Sequence, residues 1–523
     1  MDFVLALHSH LPYVLNHGRW PHGSDWLCEA ALDTYLPLLE ELEQLSAEGT
    51  SAPVTIGFTP VLANQLASPD FAREMEEFFT QRLAACDEVP ASVGPLVDFW
   101  RSRFKRLQAL FRKIDRDLVS AFRRLQERGL LEIIGSAATH GYLPLLARDE
   151  SIRLQLAVGQ GEHRRLFGVA PAGCWLPECA YRPGIEKFLA EAGFRYFFTD
   201  AHLAHAGTPL VSYGEDMHFK PGKAIRSPYR AYRVSKSSAR GTKRSVAALV
   251  RDPRSSMQIW SRHQGYPGDQ AYLEFHKIRW PGGLKLWRVS GANVDLGAKL
   301  PYEPRVAFER AGNHASHFVH LLESLAPGKG TGKDGVIVAP FDTELFGHWW
   351  FEGADFLAAT YRALRGRPSG TTRAVTASQH LEAHPPRAAL QLAEGSWGAN
   401  GDHSMWLNDR TAWTWKRLRP LEDAFWKVAP AALKKPAARA VLAQAAREVL
   451  LAQSSDWQFI ISTGAVVDYA ERRFTLHCDD AERLIDALKK GELETGARIA
   501  DELAKRDALF PDVLAQVAEA LGG

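Results

Sequence analysis

VIVAPFDTELFGHWWFEG (Val336 to Gly353) runs from an unbroken apolar stretch straight into a carboxylate, Asp342, set among Phe341, Phe346, Trp349 and Trp350. A short continuous apolar run that ends in a polar and aromatic cluster, with no tight hairpin turn, reads as a strand buried on both faces whose end opens into a functional loop. A second segment repeats the pattern: GCWLPECAYRPG (Gly173 to Gly184) carries Glu178 three residues after Trp175. The two acids lie 164 positions apart, so only a fold can bring them together.

Further apolar strand candidates occur at Phe3 to Leu7, Val54 to Phe58, Leu131 to Ile134, Arg195 to Thr199 and Leu284 to Val289, separated by stretches with helical spacing. Seven strands alternating with helices predict a parallel sheet. No Gly-x-Gly-x-x-Gly loop follows any strand, which favours a closed or nearly closed barrel over an open doubly wound sheet. Residues 70–130 exceed one crossover and read as a helical insertion, with Leu107, Leu110 and Phe111 at helical spacing. The segment from Tyr229 to Asp252 carries Lys236, Arg240, Lys243 and Arg244 without apolar periodicity and reads as a mobile loop. The barrel is expected over residues 1–390. Pro385 and Pro386 mark a linker, and residues 395–523 read as a C-terminal helical domain.

Composition narrows the function. Hydrophobic residues make up 46% and charged residues 24%, and no apolar run has the length of a membrane span. The 63 lysines and arginines nearly cancel the 61 aspartates and glutamates, so nothing electrostatic calls for nucleic acid or a membrane surface, and a neutral substrate fits better. Five scattered cysteines without a C-x-x-C pair point to a reducing cytoplasm.

In a parallel barrel the strand C-termini share one mouth. His8 and His10 end the first strand, Glu178 the fourth and Asp342 the seventh, while His140 and Asp200 follow the third and fifth. Two carboxylates at one mouth suit retaining glycoside chemistry, which needs neither metal nor nucleotide. Other readings stand beside it. Asp342 could cap a helix, Glu178 could pair with Arg182, and two histidines at alternate strand positions also begin many zinc hydrolases.

HSHLPYV (His8 to Val14), GFTPVLANQL (Gly57 to Leu66), WLPECAY (Trp175 to Tyr181) and APFDTELFGHWW (Ala339 to Trp350) together closely resemble the signature regions of glycoside hydrolase family 57. RDPRSSMQIWSRHQGYPGD (Arg251 to Asp269), GSWGANGDHSMWLNDRTAWTW (Gly395 to Trp415) and SSDWQFIISTG (Ser454 to Gly464) resemble its branching-enzyme members. The resemblance implies an incomplete (β/α)7 barrel with a helical insertion and a C-terminal all-α domain. It also implies a retaining enzyme that cleaves α-1,4-glucan and transfers the chain to a 6-hydroxyl, without cofactor, as a monomer or small homo-oligomer. By motif, Glu178 would be the nucleophile, Asp342 the general acid/base and His10 a contact to the donor sugar. Trp260, Trp397 and Trp406 would line the glucan cleft, with Trp26 and Asp456 near it. Such members carry a tyrosine on a loop over the site; none stands between Arg233 and Asp252 here, which leaves Tyr229 or Tyr232 for that role. An α-amylase or 4-α-glucanotransferase of the same family is the alternative. For each tryptophan plain core packing competes.

Overall fold

The computed structural model describes residues 1–89, 94–205, 227–234, 245–261, 264–325, 334–367 and 372–522. Its centre is one curled sheet built from β1 (Asp2–Ser9), β2 (Val54–Phe58), β3 (Leu131–Ser136), β4 (Gly173–Trp175), β5 (Tyr196–Thr199), β6 (Tyr232–Val234), β7 (Val246–Val250), β8 (Val336–Asp342), β9 (Arg373–Ala374) and β10 (Ala389–Leu390). Spatial order along the sheet is β10-β6-β7-β5-β4-β3-β2-β1-β8, with β9 on β1. Seven strands, from β8 through β1 to β5 and β7, pair in parallel, whereas β6 pairs antiparallel to β7 and β10 runs parallel to β6. Among the described residues the ring is closed only by a bridge between Arg251 and Val338, where Asp252 N–H donates to the Val338 carbonyl at 2.8 Å, so the barrel is incomplete.

The inner strands are buried along their length because helices cover the outer face while side chains fill the interior. All eight residues of β1 are buried, as are all five of β2 and of β7. Parallel strands covered on both faces therefore read as continuous apolar runs. One expected strand is corrected. Leu284–Val289 makes only isolated bridges, Arg279 to Leu284, Leu273 to Arg288 and Trp287 to Pro301, and lies outside the barrel. The seventh parallel strand is Val246–Val250, inside the segment read as a loop. Only residues 235–244 of that segment lie outside the described residues, and Tyr232–Val234 before them is also a strand.

Helices Pro69–Ala85, Gly94–Lys113 and Leu118–Glu127 form the insertion after β2. From Ala412 the chain is helical to Gly522. Those helices share a continuous apolar core with the barrel, and polar ties reinforce it. Trp426 Nε1 donates to Ser151 Oγ at 2.9 Å, Arg473 Nη2 to the Tyr13 carbonyl at 2.7 Å, and Ser455 N–H to the His140 carbonyl at 3.1 Å. The last tie brings the helical region to the barrel mouth. No helix of the described residues is long and apolar enough to cross a membrane.

Candidate active site

A cavity of about 520 Å³ opens at the C-terminal ends of the barrel strands. Its wall includes His8, His10, His140, Glu178, Asp342 and Asp456. Register explains part of this: β1 and β8 pair with His8 opposite Asp342, so the first histidine and the second acid leave the sheet side by side. Beyond Asp342 the chain must turn against Asp33 and Thr34. Gly347 permits it, with φ +146 and a position where a Cβ would lie 2.0 Å from the Asp33 carbonyl oxygen.

Glu178 sits in a single 3-10 turn after β4 with φ 61, and Cys179 follows with φ 46. Two successive non-glycine residues in the left-handed region are strained, and strain of this kind collects at functional sites. Residues far along the chain hold the turn. Trp397 N–H donates to the Glu178 carbonyl at 3.1 Å, and Tyr181 exchanges backbone bonds with Gly395 at 2.8 and 3.0 Å. The Glu178 side chain, 16% exposed, accepts from Trp397 Nε1 at 3.0 Å and from Ser455 Oγ at 3.1 Å. Arg182 instead donates to the Pro144 carbonyl, so the structure does not pair Glu178 with it. Burial pushes the Glu178 carboxyl up to about 7, against the two donors that favour its charged form.

Asp342 differs. Among the described residues its carboxyl receives no hydrogen bond, and it does not cap the short turn Thr343–Leu345 that follows. Burial, then the charges of Glu344 and Glu178, hold it well above the ordinary aspartate range. Glu344 itself is pushed up to about 7 by burial, although the Tyr35 hydroxyl and His10 N–H both donate to its Oε1. One acid thus has donors prepared for its anion, while the other is shifted toward its protonated form.

Three imidazoles form the floor. His8 stacks on Trp175 at 4.6 Å and meets His140 Nε2 through its own Nε2 at 3.0 Å. His10 stacks on His140 at 4.0 Å, its Nδ1 on Thr59 Oγ1 at 3.0 Å and its Nε2 on Asp456 Oδ2 at 3.0 Å. His140 Nδ1 contacts Ser455 Oγ at 2.9 Å. Burial and the neighbouring rings keep His8 and His140 neutral. Burial would raise Asp456, but the charge and hydrogen bond of His10 outweigh it and bring its carboxyl down to about 2. His10, His140 and Asp456 lie close enough together to hold an ion, yet their ring nitrogens are already engaged by Thr59, Asp456, Ser455 and His8. Those contacts fix the orientation of the imidazoles beside the acids.

The aromatic expectations divide. Trp397 lines the cavity edge-on to Trp175 at 5.3 Å, and Trp26 lines it too. Trp260 stands behind the wall, 6.2 Å from both Phe341 and Trp397. Trp406 is fully buried, stacked on Tyr142 at 4.4 Å, and does not reach the cavity. Neither tyrosine reaches it: Tyr232 is buried with its hydroxyl on the Ser227 carbonyl at 2.7 Å, and Tyr229 bonds Asp252. Asp200 is withdrawn too. It pairs with Arg251 Nη1 at 3.0 Å and His202 at 3.0 Å, and the Arg251 guanidinium lies over the Trp397 ring at 5.7 Å. Sequence reasoning did not single out Ser455, Phe459 or Tyr469, which come from the helical region. Ser455 lies within the segment SSDWQFIISTG, beside Asp456, and that segment is its signal in the sequence.

An incomplete parallel barrel with two unlike carboxylates between aromatic walls at its mouth defines a class: enzymes acting on glycosidic bonds. Residues 4–393 match the model of glycosyl hydrolase family 57, and residues 418–517 match that of the 1,4-alpha-glucan branching enzyme C-terminal region. The chain belongs to glycosyl hydrolase family 57. It is 40% identical to a 1,4-alpha-glucan branching enzyme of Thermococcus kodakarensis, over 98% of this chain and 77% of that protein. A crystal structure of a branching enzyme from that archaeon superimposes with a TM-score of 0.89 at 37% identity, covering 99% of this chain and 96% of the other. The alpha-amylase AmyC of Thermotoga maritima is also similar, with a TM-score of 0.82 and 31% identity over 98% and 99% of the two chains.

Proposed function

We propose that this chain is a 1,4-α-glucan branching enzyme working by retaining double displacement, on α-1,4-glucan as both donor and acceptor. The observation that carries the reading is the unlike pair of acids: Glu178 accepts two hydrogen bonds that favour its anion, whereas Asp342 accepts none from the described residues and is shifted toward its neutral form by burial and by its acidic neighbours. The Glu178 carboxylate attacks the anomeric carbon as the glycosidic C–O bond breaks, and Asp342 gives its proton to the departing 4-oxygen. Asp342, now ionised, takes the proton of an acceptor 6-hydroxyl. That oxygen attacks the same carbon, expels Glu178 and leaves an α-1,6 link. No redox step or energy donor is required.

His10, ordered by Thr59 and Asp456, presents its ring beside the nucleophile for the donor sugar. Trp397 and Trp26 offer flat faces that hold sugar rings and keep water from the intermediate. We assign catalysis to residues 1–390 and completion of the cleft to residues 395–523. Five unpaired, buried cysteines suit a reducing, cytoplasmic setting. Proton NMR of products from amylose tests the proposal: α-1,6 signals should grow with few new reducing ends. Similarity to the amylase supports a second reading, hydrolysis, in which reducing ends would rise in step with cleavage and α-1,6 signals would stay absent.

A further inference from the structure

His202 does not line the catalytic cavity and takes no part in the mechanism, yet it is buried, at 4% exposure, with both ring nitrogens engaged. Nδ1 lies 3.0 Å from Asp200 Oδ1, and Nε2 lies 2.9 Å from the Gly401 carbonyl oxygen. Asp200 is ionised: burial would raise its carboxyl, but the His202 hydrogen bond and the Arg251 charge bring it down to about 2. An ionised carboxylate and a backbone carbonyl can only accept. A neutral imidazole has one N–H and satisfies one of them, whereas the imidazolium satisfies both. The charged groups that face the ring are Asp200 and, across it, Arg251. Burial and the Arg251 charge would lower the His202 value, but the Asp200 hydrogen bond and charge and the Gly401 carbonyl outweigh them and raise it.

What His202 holds is the loop that carries Trp397. The Gly401 carbonyl also accepts from Ser396 N–H at 3.1 Å, and Gly401 N–H donates to the Gly398 carbonyl at 2.9 Å, so the residues on both sides of Trp397 are tied to Gly401. At φ +71, Gly401 presses so close to His202 that a Cβ would lie 2.6 Å from Nε2. Trp397 in turn donates through its backbone to the Glu178 carbonyl and through Nε1 to the Glu178 carboxylate. A second route reaches the indole itself. Arg251, held by Asp200 at 3.0 Å and by Ser256 Oγ at 2.9 Å, lays its guanidinium over the Trp397 ring at 5.7 Å. Loop backbone and indole both trace back to the pair of Asp200 and His202.

We infer that His202 is a positioning residue for the nucleophile: held as an imidazolium between Asp200 and the Gly401 carbonyl, it clamps the loop on which Trp397 meets Glu178. The inference rests on the assignment of Glu178 as nucleophile. Loss of the His202 proton leaves one of the two acceptors without a donor, and the proton that remains stays with the carboxylate. The Gly401 contact is then the one that opens, and the hold on Trp397 weakens with it.

Two readouts on the full-length protein test this. With histidine Cε1 labelled by carbon-13, the His202 signal is assigned by its absence from His202→Gln. In the wild type it should report an imidazolium at pH 6.5, the ordinary histidine midpoint, and titrate only at higher pH; a ring already neutral at pH 6.5 would overturn the inference. The second readout is the initial rate of amylose cleavage, scored whether the chain is transferred or hydrolysed. His202→Ala should lower kcat about five- to tenfold with KM changed less than about twofold, and should move the acid limb of the pH–rate profile to higher pH, the direction set by weakening the Trp397 donor. His202→Gln, whose amide can donate to Gly401 in place of Nε2, should regain most of kcat. In a Trp397→Phe background, His202→Ala should add little further loss, because both changes act through one hydrogen bond. Fully multiplicative losses, or an alanine variant with an unmoved acid limb, would make His202 a packing residue and overturn the inference. Retained cleavage in Glu178→Gln would count against the nucleophile assignment alone, since the carbon-13 titration reads the His202 charge without turnover.

Discussion

Replacing Glu178 by glutamine should remove activity and at the same time make the protein more stable at alkaline pH. Glutamine keeps the size of the side chain, and its oxygen can still accept from Trp397 Nε1. What disappears is a charge the site holds at a cost. Burial takes the Glu178 carboxyl from its ordinary 4.5 to about 7, a gap worth roughly 3 kcal/mol once the group is ionised. The native state binds this proton more tightly than the unfolded chain does. The associated stability is therefore complete below about pH 4.5 and is lost as pH rises through about 7. The Glu178 charge also helps to hold Asp342 high, so removing it relieves a second unfavourable ionisation in the same direction. Denaturant midpoints at about pH 4.5, 7 and 9 should show no gain for the variant at the lowest pH and about 1 to 3 kcal/mol at the highest. Transfer activity should fall more than about a thousandfold. A gain independent of pH, or a variant less stable than wild type at pH 9, would refute the assignment of burial as the cause. Appreciable transfer would refute the assignment of the nucleophile.

Other outcomes follow from the same contacts. Trp397→Phe removes a donor that lowers the Glu178 value, so the acid limb of the pH–rate profile should move to higher pH, with kcat down about tenfold. Asp456→Asn removes a charge that raises Glu178, and should move that limb to lower pH; parallel shifts in the two variants would disprove the electrostatic account. Trp406→Ala should cost about 3 to 5 kcal/mol of stability by opening a cavity beside Tyr142, measured by denaturation, with the ratio of transfer to hydrolysis retained. Chelator treatment should leave the rate unchanged, because both ring nitrogens of His10 and of His140 are engaged by protein partners; a metal-restorable loss would contradict this.

The strands that carry the acids were legible because burial on both faces writes a continuous apolar run. The same physics explains the one exchange. LKLWRV at Leu284 to Val289 is interrupted by Lys285 and Arg288 rather than continuously apolar, and it lies outside the barrel. VAALV at Val246 to Val250 is continuous, but its basic, serine-rich surroundings hid it. Position at a strand end located Glu178, Asp342, His8 and His10, since one face of a parallel sheet collects them. Aromatic type did not locate the cleft. An indole packs equally well in a core or a wall, and only the fold separates buried Trp406 from Trp397. Ser455 was not separable from the rest of the Ser454 to Gly464 segment, because its role depends on a helix docking onto the barrel.

That docking has a consequence for how the enzyme is made. The turn bearing Glu178 is anchored by Trp397 and Gly395, and its carboxylate by Ser455, all translated more than 200 residues later. While the barrel emerges from the ribosome, the first acid has neither its strained backbone held nor its anion stabilised. The nascent chain therefore lacks a completed centre until residues 395–455 have emerged and docked, which makes catalytic competence a late event of synthesis.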